Sequence, residues 1–113
     1  MCRPQTLRKE ERIRRRADFL RISKEGGKYQ TEHFRVFICP NRLSLRRLGI
    51  TVSKRVGIAV ERNRLKRIIR EFFRLNKEAF LPSSDFVITG KEGAAKLNFW
   101  QVSKELKGIL KER

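Results

Sequence analysis

The sequence has few of the residues from which protein active sites are usually built. Its 113 residues include two cysteines, one histidine and 12 acidic residues, of which only Asp18 and Asp85 are aspartates. Cys2 and Cys39 lie too far apart to suggest a disulfide framework or a zinc site. The scattered glutamates do not form the carboxylate cluster that a metal-dependent nuclease needs, and His33 has no evident partner for acid–base chemistry. We therefore predict no catalytic centre in the protein itself.

Long apolar runs are also missing. No segment approaches the roughly 18 apolar residues that span a bilayer. The first residues, MCRPQTLRKEERIRRR, lack the apolar region of a secretory signal. Their arginines could suggest an organelle transit peptide, but Glu10 and Glu11 count against one. A cytoplasmic location is the expectation.

Positive charge is what the sequence has in excess. It contains 29 Lys and Arg against 12 Asp and Glu, a formal net charge of +17. Such an imbalance opposes compaction by self-repulsion, so it indicates a polyanionic partner. Nucleic acid is the leading candidate and an anionic membrane surface is the second.

Hydrophobic periodicity predicts three helices and three strands in the order αββαβα. The helices are expected at about 15–24, at about 59–76 and from the N-cap Asn98 onward; the strands are HFRVFICP, RLGITVSK and DFVITG. We expect an α+β fold, a two-layer sandwich of helices on a small sheet. Residues 1–113 would form one domain whose first 14 residues are a flexible basic terminus.

The strand HFRVFICP alternates strictly. Phe34, Val36 and Ile38 face one side, which leaves Arg35 and Phe37 on the other. An aromatic ring beside a cation on a sheet face is typical of proteins that stack single-stranded bases. Burial under a helix is the alternative for Phe37, and a core position is the alternative for Phe19. Trp100 is predicted to pack in the core or between helices.

The central helix carries a basic face opposite an apolar stripe. The stripe is Leu65, Ile68, Ile69, Phe72 and Phe73, and the opposite side carries Asn63, Lys66, Arg67, Arg70 and Arg74. Solvated polar faces usually carry charges of both signs, because like charges four residues apart destabilise a helix. Here Arg62/Lys66, Lys66/Arg70 and Arg70/Arg74 are such pairs. The pattern favours a surface that contacts a polyanion, since arginine forks match phosphate oxygens.

The segment RLGITVSKRVGIAVERNRLKRIIREFFR closely resembles the signature of the bacterial ribonuclease P protein subunit. It contains Ser-Lys-Arg-Val-Gly at 53–57, Ala-Val at 59–60, Arg-Asn-Arg at 62–64 and Lys-Arg at 66–67. The segments ADFLRISKEG, HFRVFI and DFVITGKEGAA and the last amphipathic helix also lie where the family has them. The resemblance therefore covers nearly the whole chain. Ile58 is a departure, because family members often have a polar residue after that glycine.

The resemblance implies a fold with a left-handed β-α-β crossover, against the usual right-handed rule. It implies that the protein binds a catalytic RNA, one protein per RNA, and that the complex removes the 5′ leader from precursor tRNA. The chain would then be a subunit of an endoribonuclease whose chemistry, and most of whose Mg²⁺, belongs to the RNA. Metal binding by the protein itself is left open.

The resemblance also implies two sets of contact residues. Contacts to the catalytic RNA would come from Lys54, Arg55, Arg62, Asn63, Arg64, Lys66, Arg67, Arg70 and Arg74. A cleft between the first helix and the exposed sheet face would hold the leader, with Phe19, Arg35, Phe37, Thr51 and Ser53 as candidates. A ribosomal-type RNA-structuring protein is the alternative; it would share the basic helix but need no cleft. A membrane-binding protein would need an exposed apolar helix face, whereas Phe72 and Phe73 are better used in a core.

Overall fold

The computed structural model describes residues 11–13, 15–43, 45–80 and 82–109. Its helices are α1 (Arg16–Glu25), α2 (Ala59–Leu75) and α3 (Phe99–Leu106), and its strands are β1 (Gly27–Gln30), β2 (Phe34–Pro40), β3 (Arg47–Val52) and β4 (Ser84–Gly90). Single 3-10 turns occupy Lys54–Val56, Lys77–Ala79, Ala94–Lys96 and Lys107–Ile109. No helix in these ranges is both long and apolar enough to cross a membrane.

The four strands form one mixed sheet in the order β1-β2-β4-β3. Strand β2 is antiparallel to β1 and to β4, whereas β3 and β4 are parallel. Two parallel neighbours need a crossover connection, and α2 provides it. The predicted α+β fold and its β-α-β unit are therefore confirmed.

Strand β1 was not predicted, so the element order is αβββαβα rather than αββαβα. The strand has four residues, and only Tyr29 among them is partly buried. Such a short alternation, directly after the helix end at Gly26, gives little periodic signal. Its pairing with β2, from Gly27 opposite Ile38 to Gln30 opposite Arg35, supplies the order that its own sequence does not.

The main core lies between the sheet and helices α2 and α3. The predicted stripe of α2 is buried at Leu65, Ile69, Phe72 and Phe73. The Phe80 ring meets the Phe73 ring edge to face, with centroids 4.8 Å apart. Burying each such side chain contributes about 1.5–3 kcal/mol relative to leaving it in water. The stripe thereby fixes which side of α2 faces the sheet.

Helix α1 covers one end of the opposite sheet face. Ile22 of α1 packs with Cys39, Val87 and Ile13, and Phe19 and Phe37 pack against this smaller cluster. The sandwich thus has a partial third layer.

Residues 11–13 belong to the segment predicted to be a flexible terminus, and they are held against β3. The Ile13 amide donates to Leu48 O at 3.0 Å, and Glu11 forms an ion pair with Lys77. Residues 1–10 and 14 lie outside the described part of the chain.

Helix α3 begins as predicted, but Trp100 does not lie in the core. The Gln101 amide donates to Asn98 Oδ1 and the Asn98 amide donates to Gln101 Oε1, both at 2.9 Å, which is a capping box. The core position predicted for Trp100 is wrong, because its side chain is 77% exposed. Val102 is the buried residue, and a separation of two residues places Trp100 about 200° away around the helix.

Candidate RNA-binding surfaces

The outer side of α2 is basic, and its cations differ in how far they are free to bind a ligand. Asn63 and Arg67 are exposed, while Lys66 and Arg70 are half-buried. No described residue accepts a hydrogen bond from the Arg67 guanidinium. The apolar stripe holds this face away from the sheet, so Asn63 and Arg67 project into solvent.

Three other arginines of α2 are engaged within the protein. Arg64 donates to Ala95 O at 3.0 Å and to Leu97 O at 3.1 Å. Arg62 Nε donates to Gly57 O at 3.0 Å. Arg74 pairs with Glu71 at 2.6 Å, and its hydrogen bond holds the pKa of that carboxyl below its usual value. Arg62 and Arg64 thereby connect α2 to residues outside the helix, whereas the Arg74 pair lies within it.

A second cationic group lies where α2 meets the outer edge of β3. Lys66 and Arg70 line a cavity of about 200 Å³ together with Arg12. Burial lowers the pKa of Arg70, and the nearby charges of Arg12 and Arg67 lower it further. Positive groups held this close favour an anion. Sequence spacing does not predict Arg12 at this position, because its place depends on the backbone contact between residue 13 and β3.

Two neighbouring rows of side chains lie on the sheet face that α1 partly covers, here termed the α1 face. In register across β3, β4, β2 and β1, the first row is Gly49, Val87, Phe37 and Lys28, and the second is Thr51, Thr89, Arg35 and Gln30. Thr51 and Thr89 share a hydrogen bond of 2.8 Å. The aromatic and the cation predicted for this face are therefore neighbours.

The first row meets α1 through aromatic rings. Phe19 and Phe37 are half-buried against the smaller cluster. A Cβ atom on Gly49 would lie 2.8 Å from the Phe19 ring, so this glycine lets the ring approach the sheet. Each phenylalanine is therefore partly packed and partly accessible, and its role in contacting bases stays a prediction.

The second row opens into a polar cavity of about 290 Å³. Arg35, Ser53, Arg55, Thr89 and Lys91 line it, together with Glu92. Arg35 Nε is buried and has no hydrogen-bond partner in the described chain. An unpaired buried donor among three cations is suited to an anionic oxygen. Thr89 and Lys91 were missed, although alternation along DFVITG would have placed Thr89 on this face.

A buried carboxylate fixes α1 against the sheet. Asp85, which is fully buried, accepts hydrogen bonds from Arg47 of β3 at 2.7 Å and from Arg21 of α1 at 3.0 Å. Burial alone would raise the pKa of Asp85, but the hydrogen bonds from Arg47, Asn41 and Arg21 outweigh it and lower that pKa. The ionised carboxylate therefore links the three elements around the α1 face.

The sequence matches the family described as Ribonuclease P over residues 7–113. The chain belongs to this family. It is 48% identical to the ribonuclease P protein component of Syntrophus aciditrophicus over 105 residues, which cover 93% of this chain and 87% of the relative. The structure of the ribonuclease P protein from Thermotoga maritima superposes with a TM-score of 0.81 at 40% identity, covering 89% of this chain and 96% of that one. The Staphylococcus aureus protein gives 0.81 at 36% identity, covering 88% and 91%.

In this ribonuclease P family chain, the predicted contact residues fall into three locations. The basic side of α2 carries Arg62, Asn63, Arg64, Lys66, Arg67, Arg70 and Arg74. The α1 face carries Phe19, Arg35, Phe37, Thr51 and Ser53, of which Thr51 and Ser53 are exposed. Lys54 and Arg55 lie on the 3-10 turn between these surfaces, and Arg55 lines the same cavity as Arg35. Within the described ranges, no three His, Cys, Asp or Glu side chains are grouped to hold a metal ion.

Proposed function

We propose that this chain is the protein subunit of ribonuclease P, which binds the catalytic RNA through the basic side of α2 and the 5′ leader of precursor tRNA on the α1 face. Family membership supports the association with the endoribonuclease. The observation that carries the two-RNA arrangement is that α2 lies on one face of the sheet, whereas the second row of the α1 face, which contains Arg35, lies on the other. A protein with a cationic surface on each side of the sheet has room for an RNA on each side.

In this proposal the protein contributes binding and orientation, and the RNA with its Mg²⁺ contributes the hydrolysis. Arg67 and Lys66 would neutralise phosphates of the catalytic RNA, and Arg35 would neutralise a phosphate of the leader. Each neutralised phosphate releases condensed counterions and reduces the repulsion between the two polyanions. The complex would then need less Mg²⁺ to bring the substrate to the catalytic RNA.

The leader would cross the α1 face as a single strand. The accessible sides of Phe37 and Phe19 offer surfaces on which bases stack, worth about 1–3 kcal/mol per base in comparable proteins. Arg35 Nε, which lacks a partner in the described chain, would donate to a phosphate oxygen. The hydroxyls of Thr51 and Ser53 would donate to neighbouring phosphate or ribose oxygens. These contacts read shape and charge, which suits leaders of varied sequence.

A ribosomal-type RNA-structuring protein would use the basic helix alone. The cavity around Arg35 favours the leader-binding role, because an RNA-structuring protein gives no reason to keep a buried guanidinium nitrogen unpaired. Family membership also disfavours this alternative.

The test is cleavage of a precursor tRNA by a bacterial ribonuclease P RNA at low Mg²⁺, with and without the full chain. We expect strong stimulation that falls for Arg67→Ala and for Arg35→Ala, and no cleavage by the chain alone. Arg42→Gly is the matched control: it removes one charge from an exposed loop residue whose backbone is already left-handed, with φ of 60°. Tight RNA binding without stimulation would overturn the proposal and leave the RNA-structuring alternative.

A further inference from the structure

Helix α3 presents an aromatic surface that the proposed function does not use. Trp100 is 77% exposed, and its ring meets the Phe99 ring edge to face with centroids 5.5 Å apart. These rings, with Phe72 and Leu75 of α2, wall a cavity of about 430 Å³, here termed the aromatic pocket. Its size lies within the range of about 300–1,000 Å³ typical of small-ligand sites.

The polar groups of the aromatic pocket are two cations and two neutral side chains. Lys104, Lys107, Asn76 and Ser103 complete its lining, which includes no acidic residue. Ser103 Oγ is buried and has no hydrogen-bond partner within the described ranges. The pocket therefore combines stacking surfaces, positive charge and an unused hydroxyl.

We propose that the aromatic pocket binds an unpaired nucleobase of an RNA strand. A base would stack on Trp100, as bases do on exposed aromatic rings in proteins that bind single strands. The phosphates on either side of the base would meet Lys104 and Lys107, and Ser103 Oγ would bond the edge of the base. A second copy of this chain is a poor occupant, because two molecules of charge +17 repel each other.

This contact is separate from the α1 face and from Asn63 in the first turns of α2, and it adjoins Arg74 at the other end of the basic side of α2. Helix α3 packs on the sheet face opposite α1. Along α2, Phe72 lies nine residues beyond Asn63, which is about 14 Å at the helical rise. The inference therefore needs only that the chain binds RNA, and not that it acts in leader removal.

Trp100 is the only tryptophan of the chain, so its fluorescence reports on the aromatic pocket alone. The full chain would be titrated at low salt with a 12-nucleotide single-stranded RNA and, separately, with an abasic ribose-phosphate strand of equal length. We expect the base-bearing strand to quench the emission and the abasic strand to leave it nearly unchanged. Equal effects of the two strands, or no quenching by either, would overturn the proposal.

Variants test whether the lysines of the aromatic pocket bind phosphate and whether the pocket acts independently of the α1 face. Lys104→Ala should weaken the binding measured by quenching several-fold and lower its log–log salt slope by about 0.7, the value for one phosphate of a single strand. Lys24→Ala, on the exposed side of α1, is the matched control and should change neither. Arg35→Ala should leave the quenching intact even if it abolishes stimulation of cleavage. Loss of quenching in Arg35→Ala would show that the fluorescence change arises from RNA bound on the α1 face. It would overturn the proposal of a separate site in the aromatic pocket.

Discussion

Asp85, in the second position of β4, accepts two hydrogen bonds from the Arg47 guanidinium of β3, each 2.7 Å long. The Arg21 side chain reaches the same carboxylate from α1. A carboxylate removed from water is tolerable only when cations and donors satisfy it, as they do here. The position of α1 over the sheet, and with it the shape of the α1 face, therefore depends partly on this ionised group.

Asp85→Asn should destabilise the fold strongly. The amide cannot accept the paired hydrogen bonds and leaves both guanidinium groups with only the more distant Asp18 carboxylate, so we expect a loss of about 3–5 kcal/mol in the free energy of unfolding. Equilibrium urea unfolding measures it. Asp18→Asn is the control: Asp18 lies 3.9 Å from Arg47 and 4.0 Å from Arg21 and is 27% exposed, so its loss should stay below about 1 kcal/mol. Equal losses would contradict the role assigned to Asp85.

Stability should fall in acid, partly through Glu105. Burial alone would raise the pKa of this carboxyl, but hydrogen bonds from Thr31 and His33 lower it below its usual value. A lowered folded-state pKa gives stability that is present above the unfolded-state pKa and is lost as pH falls through the folded one. The loss should therefore begin below about pH 4.3, the ordinary pKa of glutamate.

Urea unfolding between pH 7 and pH 3 tests this linkage. Glu105→Gln should be less stable than the parent at pH 7 and should lose less stability on acidification, because its amide does not titrate. The difference between the two curves should narrow as the pH falls. Parallel curves over the whole range would show that Glu105 does not contribute to the acid dependence.

The helical periods predicted most of the fold, because burial of a stripe determines both the existence and the orientation of a helix. The buried face of α2 and the capping box of α3 followed from spacing alone. The exposure of Trp100 was missed because a large apolar ring suggests burial, although its spacing of two residues from buried Val102 places it on the opposite side of the helix. Strand β1 is ordered by its partner β2, and no local pattern of four residues reveals that.

The basic side of α2 was predicted as a single surface, and contacts beyond the helix divide it. Spacing cannot tell that Arg64 reaches the carbonyls of residues 95 and 97, more than 30 positions away. It also cannot bring Arg12 to Lys66 and Arg70. The residue types of the candidate site and the side of α2 that carries them could therefore be predicted from the sequence. Which of the cations remain available to bind a ligand could not.

Arg67→Ala and Arg64→Ala should separate RNA affinity from stability. Arg67 is exposed, so its removal should weaken binding to ribonuclease P RNA, lower the log–log salt slope by about 0.7–0.9, and leave stability nearly unchanged. Arg64 holds two backbone carbonyls, so its removal should lower the free energy of unfolding by about 1–3 kcal/mol. Salt-dependent filter binding and urea unfolding of both variants give the comparison. Identical profiles would refute the division between free and engaged arginines.

Arg35→Ala should weaken binding of precursor tRNA but not of mature tRNA. Its buried Nε has no partner in the described chain, and a charge-assisted hydrogen bond to a leader phosphate is worth about 1.5–3 kcal/mol, which is at least tenfold in Kd. Affinities of the reconstituted complex for a precursor with a long leader and for the mature tRNA measure the effect. A loss of similar size for both RNAs would place Arg35 outside the leader contact.

Gly49→Ala should disturb the α1 face, the proposed leader-binding surface, by crowding the packing beneath it. The added Cβ would lie 2.8 Å from the Phe19 ring and 3.1 Å from Ile13 Cβ, so the ring must move and α1 must shift with it. Overpacking of this kind lowers the free energy of unfolding by about 1–3 kcal/mol. Because Phe19 borders the proposed path of the leader, affinity for precursor tRNA should fall while affinity for mature tRNA is retained.

Gly27→Ala is the matched control, since the nearest non-neighbouring atom to its added Cβ would be 4.0 Å away. If Gly49→Ala reduced stability without changing the preference for precursor over mature tRNA, Phe19 would be a packing residue and the leader would pass elsewhere on the sheet.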